Sequence, residues 1–220
     1  METLQLADPQ LVRTVQTVIE ILGTLAFAIS GIRHAAAKHF DWFGGFVCGF
    51  AVAIGGGTIR DVMLGLPPFW MTSPLYIVCT IVAQVFVISF SKMLRRLDNA
   101  WFFFDTLGLA SFTITGIQKT LECGFPFWVA IIMGCITGVA GGLIRDVLLN
   151  KTPVVLRKEI YASASIFGGL LYWVMFAINT NVAVTVVVVF LFIVMVRILA
   201  VKYHISLPVL KSDEGLGEKG

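Results

Sequence analysis

Seven long apolar runs separated by short polar connections occupy most of this chain, near residues 12–32, 42–66, 74–92, 101–119, 127–149, 160–178 and 182–201. Each is close to the ~20 residues of helix needed to cross about 30 Å of hydrocarbon. The last is the plainest, because Val182 to Val196 holds no charge and Thr185 as its one polar side chain. Its valines favour strands in water, but an unpaired strand cannot satisfy its backbone in lipid, so the run predicts a helix. The second and fifth runs each contain a glycine cluster followed by Arg-Asp, and the count drops to six if one of them is only re-entrant. The pattern predicts an all-α integral membrane protein with seven transmembrane helices.

Composition agrees. Hydrophobic residues make up 58% of the chain and charged residues 13%, and mean hydropathy is +0.91. A water-facing surface needs about a quarter charged residues, so the second solvent here is lipid. The net charge of +3 is too small to imply a nucleic-acid partner. Cys48, Cys79, Cys123 and Cys135 lack metal-binding spacing, and the three inside apolar runs, Cys48, Cys79 and Cys135, read as small packing residues. His34 and His39 fall on a basic connection and read as solvated. No cleavable leader is predicted, since the first ten residues carry Glu2 and Asp8 and no basic cluster.

The placement of charge predicts orientation. Arg33, Lys38, Lys92, Arg95, Arg96, Lys151, Arg157 and Lys158 follow the odd-numbered runs, and Arg197, Lys202, Lys211 and Lys219 lie at the C-terminal end. The opposite side has Arg13 and Lys119. Basic residues gather on the cytoplasmic side, so the N-terminus is expected outside and the C-terminus in the cytoplasm of a multi-pass inner (plasma) membrane protein.

Shifting the chain by 85 positions aligns it with itself. Leu22-Gly23 falls on Leu107-Gly108, Gly31-Ile32 on Gly116-Ile117, Pro68 on Pro153 and Tyr76 on Tyr161. Gly56-Gly57-Thr58-Ile59-Arg60-Asp61-Val62 falls on Gly141-Gly142-Leu143-Ile144-Arg145-Asp146-Val147. Residues 12–96 and 97–181 thus form two three-helix repeats of opposite orientation. Residues 182–203 add a seventh helix, and 204–220 a cytoplasmic tail, all within one transmembrane domain. Inverted repeats place pathways at their interface, although simple duplication also produces them.

The chemistry sits in the second and fifth runs. Gly45, Gly49, Ala53 and Gly57, and likewise Ala130, Gly134, Gly138 and Gly142, recur at helical spacing, which fits close helix packing. Gly55, Gly56 and Gly57 are consecutive, and each weakens a helix by about 1 kcal/mol relative to alanine. They predict a break at mid-bilayer that opens backbone groups to a pathway, with Gly141 and Gly142 as a milder copy. Arg60, Asp61, Arg145 and Asp146 follow, and charges at such depth are costly unless paired or lining water. Neighbours on a helix diverge by about 100°, so neither arginine is expected to pair with its own aspartate. Glu20 and Asp105, at equivalent repeat positions and matching depths, are the expected partners, in a structural or a gating role. Ser30 and Thr115 match across the repeat, and such hydroxyls usually bond their own helix. No nucleophile–base motif or phosphate loop appears, so the chain does not read as an enzyme, and no cofactor is implied.

The paired Gly-Gly-x-Ile-Arg-Asp segments, the three-plus-three-plus-one layout and the outside N-terminus resemble the trimeric intracellular cation channel (TRIC) family. The short loops are similar to those of its prokaryotic members, a group also described as bacterial glycine-transporter-domain proteins. The likeness spans residues 12–205. It implies homotrimers embedded among membrane lipids, a pore in each protomer conducting K⁺ and Na⁺, and second and fifth helices kinked at their glycines. Animal members carry a Lys-Glu-Val stretch linked to lipid-regulated gating; that triplet is not found here. The alternative function is a secondary transporter of a small solute such as glycine.

Overall fold

The computed structural model describes residues 9–96, 100–157, 159–206 and 208. The tail expected from 204 onward, including Lys211 and Lys219, lies almost wholly outside them, as does Lys158. Eight helices follow one another: α1 Pro9–Ala37, α2 Trp42–Met63, α3 Leu75–Ser89, α4 Ser91–Arg96, α5 Ala100–Glu122, α6 Phe127–Leu148, α7 Ala162–Ala177 and α8 Val182–Lys202. Short 3₁₀ turns at Phe69–Met71 and Val154–Leu156 follow α2 and α6. The third apolar run divides at Phe90, which caps α3 and leaves α4 as a separate short helix.

Thr14–Ala37, Trp42–Met63, Phe127–Leu148 and Val182–Lys202 are long and apolar enough to cross a membrane, and Leu75–Ser89 and Ala162–Ala177 are shorter apolar helices. Helix α5 is the least apolar of the long helices after α1, and burial explains why it tolerates its polar residues. Thr106, Ser111, Thr113, Thr115, Gln118 and Thr120 are all buried, because α5 packs on α1, α6, α7 and α8 rather than on lipid. Helix α8 instead exposes Val187, Leu191 and Met195, as a helix facing hydrocarbon should.

Local chemistry sets the helix ends. The Asp41 carboxylate accepts a hydrogen bond from Gly44 N at 2.7 Å to start α2, and Asn181 accepts from Ala183 N at 2.9 Å to start α8. Several helices close on a left-handed residue, and two such stops match across 85 positions: His39 (φ 59°) with Gly124 (82°), and Gly65 (71°) with Asn150 (51°).

Two expectations are corrected here. Helices α2 and α6 run without interruption through Gly55-Gly56-Gly57 and Gly141-Gly142. The lost helix propensity is outweighed by contact, since each of these glycines meets a neighbour where a methyl group has no room. Gly56 lies against the Thr137 carbonyl of α6, and Gly141 against the Val52 carbonyl of α2. Val52 and Thr137 are themselves 85 apart, so the contact is reciprocal and marks a local two-fold relation at the α2–α6 crossing. Phe27 and Phe112, also 85 apart, stack beside it with ring centroids at 5.4 Å. Second, Arg197 is 1% exposed and points into the bundle. It is not one of the solvent-facing charges that set orientation.

Candidate functional site

The carboxyl-terminal part of α2 aims Arg60 at α1. Its Nη1 lies 3.5 Å from Glu20 Oε1 and 3.5 Å from Thr115 Oγ1 on α5. Its Nε donates to Asp61 Oδ1 at 2.7 Å. Asp61 Oδ2 accepts the Phe69 N–H at 2.8 Å, tying the 3₁₀ turn to the helix end. Tyr76 on α3 donates its hydroxyl to Glu20 Oε2 at 3.0 Å, and the guanidinium lies 5.5 Å from the Phe69 ring centroid.

The same constellation recurs 85 residues on. Arg145 Nη1 donates to Asp105 Oδ1 at 2.5 Å and to Ser30 Oγ at 3.0 Å, and its Nε donates to Asp146 Oδ1 at 2.9 Å. Asp146 Oδ2 accepts the Val154 N–H at 2.9 Å, and Tyr161 donates to Asp105 at 3.3 Å. Each arginine thus reaches across to the other unit's matched hydroxyl, Thr115 for Arg60 and Ser30 for Arg145. Glu20 and Ser30 are ten residues apart on α1, which places the two centres about 15 Å apart along the bundle.

Adjacent Arg–Asp pairing therefore does occur, contrary to the expectation from helical divergence. The arginine stem is long enough to fold back beside its neighbour, and the aspartate is held in place by the amide it caps. The structure sets Glu20 and Asp105 against Arg60 and Arg145. It puts the glycines at the crossing between the two centres rather than in an opened backbone. His34 is half-buried rather than fully solvated: it bonds the Ser30 carbonyl at 2.8 Å and packs edge-on to Trp101 with ring centroids at 5.4 Å. Several hydroxyls do bond their own helix, including Thr24 to Glu20 O and Thr137 to Met133 O.

Three site residues escaped sequence reasoning. Arg197 on α8 lies 3.4 Å from Asp105 Oδ2, between the rings of Phe102 (4.7 Å) and Tyr161 (4.6 Å). Its one signal was a lone charge inside an apolar run. Tyr76 and Tyr161 were aligned by the repeat, but their hydroxyl partners were not legible. Beside the second centre opens a cavity of about 700 Å³, lined in part by Arg33, His34, Trp101, Arg145, Lys151 and Arg157. Burial draws the Lys151 ammonium below its ordinary pKa, and the charge of Lys38 adds to the shift. Among the described residues no three or more His, Cys, Asp or Glu side chains gather as a metal-binding cluster.

Fold and site together define an all-helical membrane protein with two matched, buried arginine–carboxylate centres. The family described as glycine transporter matches the chain twice, over residues 17–92 and 102–178, one copy per centre and in register with the 85-residue shift. The chain belongs to that family, the trimeric intracellular cation channel family. It is 37% identical over 202 residues to the inner membrane protein YadS of Escherichia coli, covering 89% of this chain and 96% of YadS. The TRIC orthologue of Rhodobacter sphaeroides superposes with a TM-score of 0.82 at 30% identity, covering 87% of this chain and 99% of the other. A prokaryotic TRIC channel crystallised in 0.5 M KCl gives 0.81 at 31% identity, covering 89% and 100%.

Proposed function

We propose that the chain is a monovalent cation channel conducting K⁺ and Na⁺, with a pore in each protomer of a homotrimer. In this reading seven helices span the inner membrane, with the N-terminus outside and the C-terminus cytoplasmic. Residues 12–96 and 97–181 are inverted repeats, 182–203 the seventh helix and 204–220 the cytoplasmic tail. The pathway follows the α2–α6 crossing. Arg60 and Asp61 stand towards its outer side, and Arg145 and Asp146 towards its inner side. Gly55, Gly56, Gly57, Gly141 and Gly142 keep the backbones close at the constriction between them.

The observation that carries this reading is the pair of buried charge centres. Ionised groups inside the hydrocarbon zone are costly, and they concentrate along ion pathways. These two sit about 15 Å apart, half the thickness of the apolar layer. Four carboxylates there face three guanidiniums, a polarity that admits cations once water enters. The solved relatives bear the name of cation channels, which supports the same reading.

A carrier of a small solute is the second reading, favoured by the glycine transporter description of the family. Purified protein in planar bilayers under a KCl gradient separates the two. Unitary currents reversing near the K⁺ equilibrium potential support the channel. Saturable glycine uptake into vesicles with no unitary current would replace it with the carrier.

A further inference from the structure

The two centres match in geometry and differ in charge. Around Arg145 stand two buried carboxylates, Asp105 and Asp146, and a second guanidinium, Arg197, which also lies 3.9 Å from the partly exposed Glu159, so the buried charges cancel. Around Arg60 stand Glu20 and Asp61 with no second cation among the described residues, which leaves one excess buried negative charge. Arg197 belongs to α8, which falls outside the 85-residue repeat, so the first centre has no matching contribution from it. Glu20 is 8% exposed and Asp61 1%, so solvent does little to offset the excess. A buried charge of this kind calls for an opposite charge beside it.

The contacts of Glu20 leave room for one. Its Oε1 is 3.5 Å from Arg60, long for a charge-assisted hydrogen bond, whereas Asp105 holds Arg145 at 2.5 Å. Ser111 supplies an independent sign. It lies one turn along α5 from Thr115, and it faces α1 at Gly23, three residues beyond Glu20. Its hydroxyl is fully buried and has no hydrogen-bond partner among the described residues. Buried hydroxyls are rarely left without one. Carboxylate and hydroxyl oxygens are the ligands that hard cations take.

We propose that the Glu20 centre binds one K⁺ or Na⁺ ion through the Glu20 carboxylate and the Ser111 and Thr115 hydroxyls, and that Arg197 fills the equivalent place at Asp105. The inference deepens the cation-channel reading by naming a site within it. Its test reads binding rather than current. Thermal unfolding of the detergent-purified full chain is followed as KCl replaces N-methyl-D-glucamine chloride at constant ionic strength. The wild type is expected to show a saturable rise in melting temperature. Glu20→Gln should abolish it, and Ser111→Ala should raise the half-maximal K⁺ concentration about three- to tenfold, the size of one lost oxygen contact. Arg197→Gln should enlarge the rise by freeing Asp105. A wild type without a saturable rise overturns the site, and a Glu20→Gln variant that keeps the rise overturns it too. If Glu20→Gln does not fold, an unchanged midpoint in Ser111→Ala overturns it. Arg197→Gln without enlargement overturns the role given to Arg197. Saturable K⁺ binding without conductance would reject the channel and keep the site; conductance without saturable binding would do the reverse.

Discussion

Gly141→Ala tests whether the glycines of the crossing act by packing or by weakening the helix. An added Cβ at Gly141 would lie 2.7 Å from Phe27 Cε2 and 2.8 Å from the Val52 carbonyl oxygen. Ordinary contact begins near 3.4 Å, so a backbone atom of α2 and a ring locked in a stack must each yield by about 0.6 Å or more. Overpacking of this kind costs typically about 1–3 kcal/mol, and the gain in helix propensity returns about 1 kcal/mol. A net loss of up to about 2 kcal/mol follows, a drop of up to several degrees at roughly 2–4 °C per kcal/mol for a chain of this size. Gly56→Ala meets the Thr137 carbonyl still more closely and should lose more. Gly45→Ala is the internal control. Its nearest neighbour would be the Gln84 side chain at 3.6 Å, so the propensity gain stands unopposed. Thermal melting, with the elution position on size exclusion as a check on assembly, ranks the three. A Gly141→Ala protein at least as stable as Gly45→Ala would refute the packing argument and restore helix weakening as the role of these glycines.

The other predictions concern charge and orientation. Arg145→Gln leaves Asp105 and Asp146 with one guanidinium between them and should lower stability by about 3–5 kcal/mol, while adding Asp105→Asn should recover part of the loss; a double variant no better than the summed singles would dissolve that pair. Arg197→Met keeps the apolar stem but leaves Asp105 short of a partner, so α8 should loosen on the bundle, read as faster amide exchange around Ile193 and Arg197 than in wild type; unchanged exchange would show that apolar contact alone holds α8. Exposed Cys123 should react with an impermeant thiol reagent on intact cells, and a cysteine replacing Lys151 should react only after the membrane is opened. The reverse labelling would invert the topology and the assignment of outer and inner centres.

Much of this architecture was legible one helix at a time. Lipid admits few backbone arrangements, so runs such as Val182–Val196 declare themselves as helices without tertiary information. The 85-residue identity likewise declared that Arg60 and Arg145 have equivalent settings, and depth along the helices brought Glu20 level with Arg60 and Asp105 level with Arg145. Three further features were decided by the packed fold. The glycine runs read as breaks because propensity is a local quantity of about 1 kcal/mol per residue. The Thr137 and Val52 carbonyls that press against Gly56 and Gly141 lie on another helix and outweigh it. Arg60 and Arg145 fold back onto their own aspartates because the Phe69 and Val154 amides hold those carboxylates still, through bonds eight residues long in sequence. Arg197 read as a cytoplasmic flank because nothing near it in the chain reveals Asp105, 92 residues earlier, with its uncompensated oxygen. Position along one helix sets depth in the membrane, and the sequence carries that; which side chains meet at a given depth depends on the rotation and spacing of several helices at once, and only the tertiary structure supplies it.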